Sequence, residues 1–251
     1  MMTDKLKHAW GDAQGPEEVE QRYLDQLRAS ERAREQGRMA ARRLGLRLRQ
    51  GVPVALKRTL DVLLGGLLLL ALAPLMLVTA LCIWLEDRGP ALYVHQRVGR
   101  GGQLFRMLKF RSMAIDADRR LAALQAENES AAGVLFKMRR DPRITRVGRV
   151  IRRWSIDELP QLLNVLRGDM SLVGPRPALP HEVAQHTQEE RSRLAVLPGI
   201  TCLWQVSGRS QIDFKGQVRL DLEYIREQSV FQDAWLLLRT IPAALFGKGA
   251  Y

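Results

Sequence analysis

The sequence predicts a mainly α-helical protein with one short β-hairpin, carried on a re-entrant membrane helix hairpin that breaks at Pro74. Three observations lead there. The block Val62 to Leu85 holds 24 residues without a charge and has a proline at its centre. Two apolar runs between Ala91 and Met113 flank Gly99-Arg100-Gly101-Gly102, a glycine-rich turn. Most of what remains is spaced as helix, with no internal repeat.

Residues 1–56 read as a basic helical extension. Between 17 and 50 the composition favours helix, and Val19, Tyr23 and Leu27 form a narrow apolar stripe. An interfacial or coiled-coil helix and a solvated charged helix both fit that pattern.

Residues 57–88 carry the apolar block between Lys57-Arg58 and Glu86-Asp87-Arg88. Its length suffices for a membrane helix, at about 1.5 Å per residue across a core about 30 Å thick. Pro74 deprives the Leu70 carbonyl of its helical partner. Both flanks are basic: residues 28–58 hold ten Lys or Arg against two acids, and residues 88–111 hold six and no acid. A spanning helix would send one cluster across the bilayer, against the charge bias of membrane insertion. A hairpin broken at Ala73-Pro74 that enters and leaves by one face avoids this. A Pro-kinked spanning helix is the alternative.

Residues 89–251 form the third part. After the β-hairpin, Asp118 to Glu129 is helical in composition. Residues 137–153 hold eight Lys or Arg against Asp141 alone, with Ile144, Val147, Val150 and Ile151 at helical spacing. Leu159 to Arg167 is a helix stopped by Gly168, Glu182 to Leu197 another ending at Pro198-Gly199, and Phe231 to Phe246 an apolar one suited to a core or to the membrane interface.

A net charge of +12 points to an anionic partner: nucleic acid, anionic lipid or a phosphorylated small molecule. Two cysteines, one of them inside the apolar block, make a disulfide framework improbable and favour a reducing compartment. Met1 to Trp10 lacks the apolar core of a secretory signal. The histidines show no metal-ligand spacing.

The chemistry concentrates in Ser155-Ile156-Asp157-Glu158-Leu159-Pro160 and in Pro175-Arg176-Pro177. Two adjacent carboxylates can hold a divalent cation, or one can attack as a nucleophile. Arginine meets phosphate oxygens with a planar fork of donors, and flanking prolines fix its backbone. Ser155 to Glu158 also fits a capping box, which would make both acids structural. Lys109, Arg111 and Arg152 join Arg176 as candidate phosphate contacts, with Arg209 a weaker one.

Lys57-Arg58 before the proline-broken block, Lys109-Phe110-Arg111, the Asp-Glu-Leu-Pro-Gln run, Gly174-Pro175-Arg176-Pro177 and Pro198-Gly199-Ile200-Thr201 together resemble the polyprenyl-phosphate sugar-1-phosphate transferases, or monotopic phosphoglycosyl transferases. The resemblance runs from about Lys57 to Tyr251. It implies transfer of a hexose-1-phosphate, galactose or glucose, from a UDP-sugar to undecaprenyl phosphate, releasing UMP at the first membrane step of exopolysaccharide, O-antigen or capsule synthesis. It implies a covalent phosphosugar on Asp157, with Glu158 beside it and Mg²⁺ held by the two carboxylates. Asp221 and Tyr224 match a family pattern near the site. The partners it implies are the UDP-sugar, the polyprenyl phosphate and anionic lipid, with no nucleic acid and with a homodimer left open. The N-terminus and catalytic domain would both lie on the cytoplasmic side of the inner membrane. A non-enzymatic, membrane-tethered binder of nucleic acid or anionic lipid is the rival that charge alone permits.

Overall fold

The computed structural model describes residues 54–117, 119, 120, 141–208 and 212–246. Residues 1–53 of the basic extension, most of the helix expected from Asp118 to Glu129, the start of the 137–153 run, Arg209 and the final Gly247 to Tyr251 lie outside the described residues.

Helix α1, Val54–Asp87, runs 34 residues with Pro74 inside it. The break expected at Ala73-Pro74 therefore does not divide it into two helices. A proline within a long helix costs one hydrogen bond and bends the axis rather than ending it. The helix is long and apolar enough to cross a membrane. Leu63, Leu67, Leu70 and Leu77 are each more than 60% exposed, a density of bare leucine that water does not favour.

Strands β1, Leu92–Val98, and β2, Leu104–Phe110, pair antiparallel around the expected turn, with Tyr93 opposite Lys109 and Arg97 opposite Phe105. Helix α2 is Arg146–Arg153, shorter than the basic run, and Thr145 caps it by accepting from the Gly148 amide. Helix α3, Gln161–Arg167, ends at Gly168, whose φ of 94° is a conformation that favours glycine. Then come β3, Ser171–Val173, and helix α4, Pro180–Gln185. The single helix expected from Glu182 to Leu197 is instead α4 followed by a 3-10 segment, Glu190–Ala195. Around the break, Thr187 and Glu190 exchange hydrogen bonds through each other's side chains, a local alternative to the helical ladder. Strand β4, Gly199–Thr201, pairs parallel with β3. Helices α5, Leu203–Ser207, α6, Phe214–Glu227, and α7, Val230–Phe246, complete the order.

The core is built partly from α1. Leu69, before the proline, packs on a cluster of Leu162, Val165, Leu172, Tyr224 and Leu236. Ile83, after it, forms a second cluster with Phe110 and Ile151, against which Met76, Ala80, Ile156 and Leu159 pack. Burying a side chain such as Ile83 contributes about 2 kcal/mol.

Polar groups fasten both ends of α1. Arg58 donates to the carbonyls of Val165 at 2.6 Å and Leu166 at 2.8 Å in the last turn of α3, placing its charge at the helix C-terminus. Glu86 accepts from the first-turn amides of α2, Arg146 at 2.8 Å and Val147 at 3.2 Å. Lys57 bridges Asp61 at 3.2 Å and Asp233 of α7 at 2.7 Å, and Asp61 also accepts from the Leu172 amide. The flanking charges that read as topology signals are thus helix caps and buried ties as well.

Candidate active site

The acid pair sits in a 3-10 turn, Ile156–Glu158, between α2 and α3. Ser155 opens it in the left-handed region, φ 56° and ψ 21°, and makes no side-chain cap. The capping box is therefore not formed, and Glu158 is free to face another element. Left-handed serine is an uncommon, strained conformation that surrounding structure must hold. Here Ile156 and Leu159, flanking the acids, anchor the turn against the cluster of Ile83 from α1, Phe110 and Ile151.

Lys109 comes from the end of β2. Asn164 of α3, fully buried, accepts from the Leu108 amide at 2.9 Å and donates to the Arg106 carbonyl at 2.8 Å. That clamp sets β2 beside the acid turn. Lys109 Nζ then stands 2.7 Å from Glu158 Oε1 and 3.9 Å from Asp157 Oδ2.

The two carboxyls titrate apart. Burial pushes Asp157 up to about 6, against the charges of Lys109 and Arg152 and with the help of Glu158. Burial also opposes the charge on Glu158, but Lys109 and Arg176 outweigh it and hold that carboxyl below its usual range. At neutral pH both are ionised, Glu158 firmly and Asp157 with little margin.

Arg176 is exposed, and its guanidinium lies 5.8 Å from the centre of the Trp204 ring. Its backbone is tied at every step. Pro175 O accepts from the Gly199 amide at 2.9 Å, Arg176 O from Arg193 at 3.4 Å, Pro177 O from Arg97 at 3.2 Å and Ala178 O from the Val98 amide at 2.9 Å. Gly174 and Gly199 meet so closely that a Cβ on Gly199 would fall 2.1 Å from the Gly174 nitrogen. The prolines and these ties leave only the side chain of Arg176 to move.

Lys109, Glu158 and Arg176 line one pocket with Arg97, Gln161 and Gln205. Asp157 is not among the lining residues and stands 3.9 Å from the Lys109 ammonium that is. The other sequence candidates lie elsewhere. Arg152, half-buried in the last turn of α2, acts on Asp157 through its charge. Arg111 is bidentate to Asp87 at 2.5 and 2.6 Å and also donates to Pro90 O at 2.6 Å, so it locks the hairpin to the end of α1. Asp221 is buried and paired with Arg193. Tyr224 is buried in the core, its hydroxyl 3.0 Å from Val173 O and 2.8 Å from Asp233. Arg209 is outside the described residues. Sequence reasoning passed over Arg97, Gln161 and Gln205. Gln161 carried a signal, as the last residue of the Asp-Glu-Leu-Pro-Gln run.

Among the described residues no group of three His, Cys, Asp or Glu side chains is placed to hold a metal. Two adjacent carboxylates nonetheless fit Mg²⁺, which takes one or two carboxylates and completes its shell with water and substrate phosphates.

A family model described as bacterial sugar transferase matches residues 52–247. Galactosyl transferase CpsE of Streptococcus agalactiae is 45% identical over 197 residues, which cover 77% of this chain and 43% of that protein. Undecaprenyl-phosphate galactose phosphotransferase of Salmonella typhimurium is 44% identical over 202 residues, covering 78% of this chain and 42% of that one. Exopolysaccharide production protein ExoY of Sinorhizobium fredii is 40% identical over 198 residues, covering 78% and 88%. The chain thus spans less than half the length of the first two relatives and most of the third.

Proposed function

This chain belongs to the bacterial sugar transferase family, and we propose that it transfers a hexose-1-phosphate, galactose or glucose, from a UDP-sugar to polyprenyl phosphate. One observation carries the reading. The acid turn packs on the cluster built around Ile83 of the apolar helix α1, while Glu158 lines an open pocket with Lys109 and Arg176 and Asp157 stands 3.9 Å from the Lys109 ammonium. A nucleophile set beside a membrane helix and ringed by cations suits two phosphates, one soluble and one anchored in lipid.

Asp157 attacks the phosphorus that bears the sugar. The bond between the two phosphorus atoms' shared oxygen and that phosphorus breaks, and UMP leaves with the electron pair. An oxygen of the polyprenyl phosphate then attacks the same phosphorus, freeing Asp157 and giving the polyprenyl-diphosphate sugar. One phosphoanhydride replaces another, so no further energy source enters. Lys109 and Arg176 hold phosphate oxygens and spread the charge that develops. Glu158, kept ionised, orients Lys109 toward the phosphates. Mg²⁺ on Asp157 and Glu158 would add charge neutralisation on the diphosphate.

The ends of α1 support a helix that enters and leaves the bilayer on one face. Arg58 and Glu86 are 28 residues apart, about 42 Å along a straight helix, longer than the hydrocarbon core. Both are bonded to the same domain. A straight crossing would require that domain on both sides. A bend at Pro74 permits it on one, and the UDP-sugar supply makes that side the cytoplasm.

The test is UMP release from a panel of UDP-sugars with polyprenyl phosphate, wild type beside Asp157→Asn, with mass spectrometry of the Asp157 peptide for a hexose-phosphate adduct. No UMP with any donor would refute the reading, and full turnover by the variant would refute the nucleophile.

A further inference from the structure

Arg97 is the pocket residue with the least ordinary surroundings. It is 7% exposed, yet among the described residues no carboxylate forms an ion pair with it. Its Nη1 donates to Pro177 O at 3.2 Å, its Nη2 lies 3.3 Å from His95 Nδ1, and its Nε has no partner. His95 is neutral near pH 7, because burial and then the Arg97 charge bring it down to about 4; Nδ1 is therefore free to accept from Arg97. One carbonyl and one imidazole orient the guanidinium without neutralising it.

A buried charge lacking a counter-ion is costly, and proteins keep one where something else compensates. Arg97 lines the same pocket as Lys109 and Arg176, against one lining carboxylate, Glu158, which Lys109 already holds at 2.7 Å. Burial and the neighbouring Arg176 depress the guanidinium to about 10, against the charges of Glu182 and Glu158, so Arg97 keeps its charge at neutral pH. The pocket has an excess of positive charge and open donors at its inner end.

We propose that Arg97 is the inner cation of a phosphate subsite in this pocket, taking a phosphate of the donor's diphosphate other than the one Asp157 attacks. This rests on the transferase reading above. Arg176, exposed and resting on Trp204, closes over the ligand from outside, and Arg97 receives it from within. The guanidinium fork then fixes which phosphorus faces Asp157, because a diphosphate gripped at one end presents the other.

The experiment uses the full chain in nanodiscs, with UDP and a short polyprenyl phosphate as probes. Wild type, Asp157→Asn, Arg97→Met, Arg97→Lys and Arg97→Gln are compared. UDP should raise the Tm of wild type and of Asp157→Asn. Arg97→Met should lose that rise, increase KM for the UDP-sugar at least tenfold, and leave the unliganded Tm unchanged or higher. Arg97→Lys, charged but without the fork, should recover part of the response. If Arg97→Met loses only its response to polyprenyl phosphate, the donor assignment is overturned and the subsite belongs to the acceptor. If it keeps both responses and melts earlier, Arg97 is a strut for the Pro177 carbonyl and the proposal falls. Should Arg97→Met fail to fold, Arg97→Gln decides in the same way. A wild type that responds to neither probe would sink the transferase reading too, which separates that failure from this one.

Discussion

Lys109 and Glu158, 49 residues apart in the chain, share a 2.7 Å ion pair that brings the ammonium within 3.9 Å of Asp157. The lysine therefore governs two carboxyls of different character, and removing it changes both.

Replacing Lys109 by Met should push the Asp157 carboxyl above about 6, since the nearest cation opposing its burial is gone. The acid limb of the kcat/KM profile should move toward neutral pH by about one unit, with turnover at pH 7.5 falling about 10²-fold. A pH–rate comparison with wild type measures both. An unmoved limb would remove Lys109 from the site's electrostatics.

Asp157→Asn should abolish turnover by about 10³-fold or more and at the same time stabilise the fold. Folding raises this carboxyl from 3.8 to about 6, so its ionisation weakens the native state as pH rises through that window. The neutral amide escapes the penalty, with a gain of about 1–3 kcal/mol at pH 7.5. The gain should shrink as pH falls through 6 and be absent near pH 4. Thermal melts of the two proteins from pH 4 to 8 check the sign.

Arg111→Ala should act on stability instead of catalysis. The substitution leaves the Pro90 carbonyl without its donor and Asp87 with the Gly89 amide alone, at about 2–3 kcal/mol for a pair that is partly open to solvent. The melting temperature should drop while KM for the UDP-sugar stays within about twofold, since a surviving folded population keeps its pocket. A large KM change with an intact fold would place Arg111 on substrate.

Tyr224→Phe should cost about 1–2 kcal/mol, because the hydroxyl joins Val173, Asp233 and Gln228 inside the core. Turnover of the folded protein should be near wild type. Denaturation and initial-rate measurements on one preparation separate the two effects.

Gly199→Ala should be the most damaging small substitution. Its methyl has backbone at 2.1 Å, which cannot yield as a flexible side chain can. The parallel β3–β4 contact would open and carry the Pro175-Arg176-Pro177 run with it. A protein that melts like wild type and keeps its UDP response would show that this contact is looser than described.

What the sequence disclosed followed from how local each signal is. The apolar run of α1, the glycine turn of the hairpin and the stop at Gly168 depend on neighbours in the chain, and each was found. Asp157, Glu158 and Arg176 stood out because acids side by side and an arginine between prolines are unusual in themselves. The choice between capping box and free acids needed the backbone of Ser155, which tertiary packing sets. Arg111 and Lys109 sit two residues apart in one motif, a spacing that alternation would put on one face, yet Arg111 lies just past the end of β2 and pairs with Asp87 while Lys109 pairs with Glu158. Arg97 was one basic residue among 39, and only its burial without a counter-charge sets it apart.

The fastenings at either end of α1 bear on how this protein can be handled. Amputating residues 54–87 to make a water-soluble version would strip Asp233 of its lysine, the Leu172 amide of its acceptor and two helices of their caps, while baring the apolar bed beneath Ile156 and Leu159. The lipid-facing rod is a structural beam of the catalytic body, and a shortened version would forfeit the shape of the acid turn together with its address in the cell.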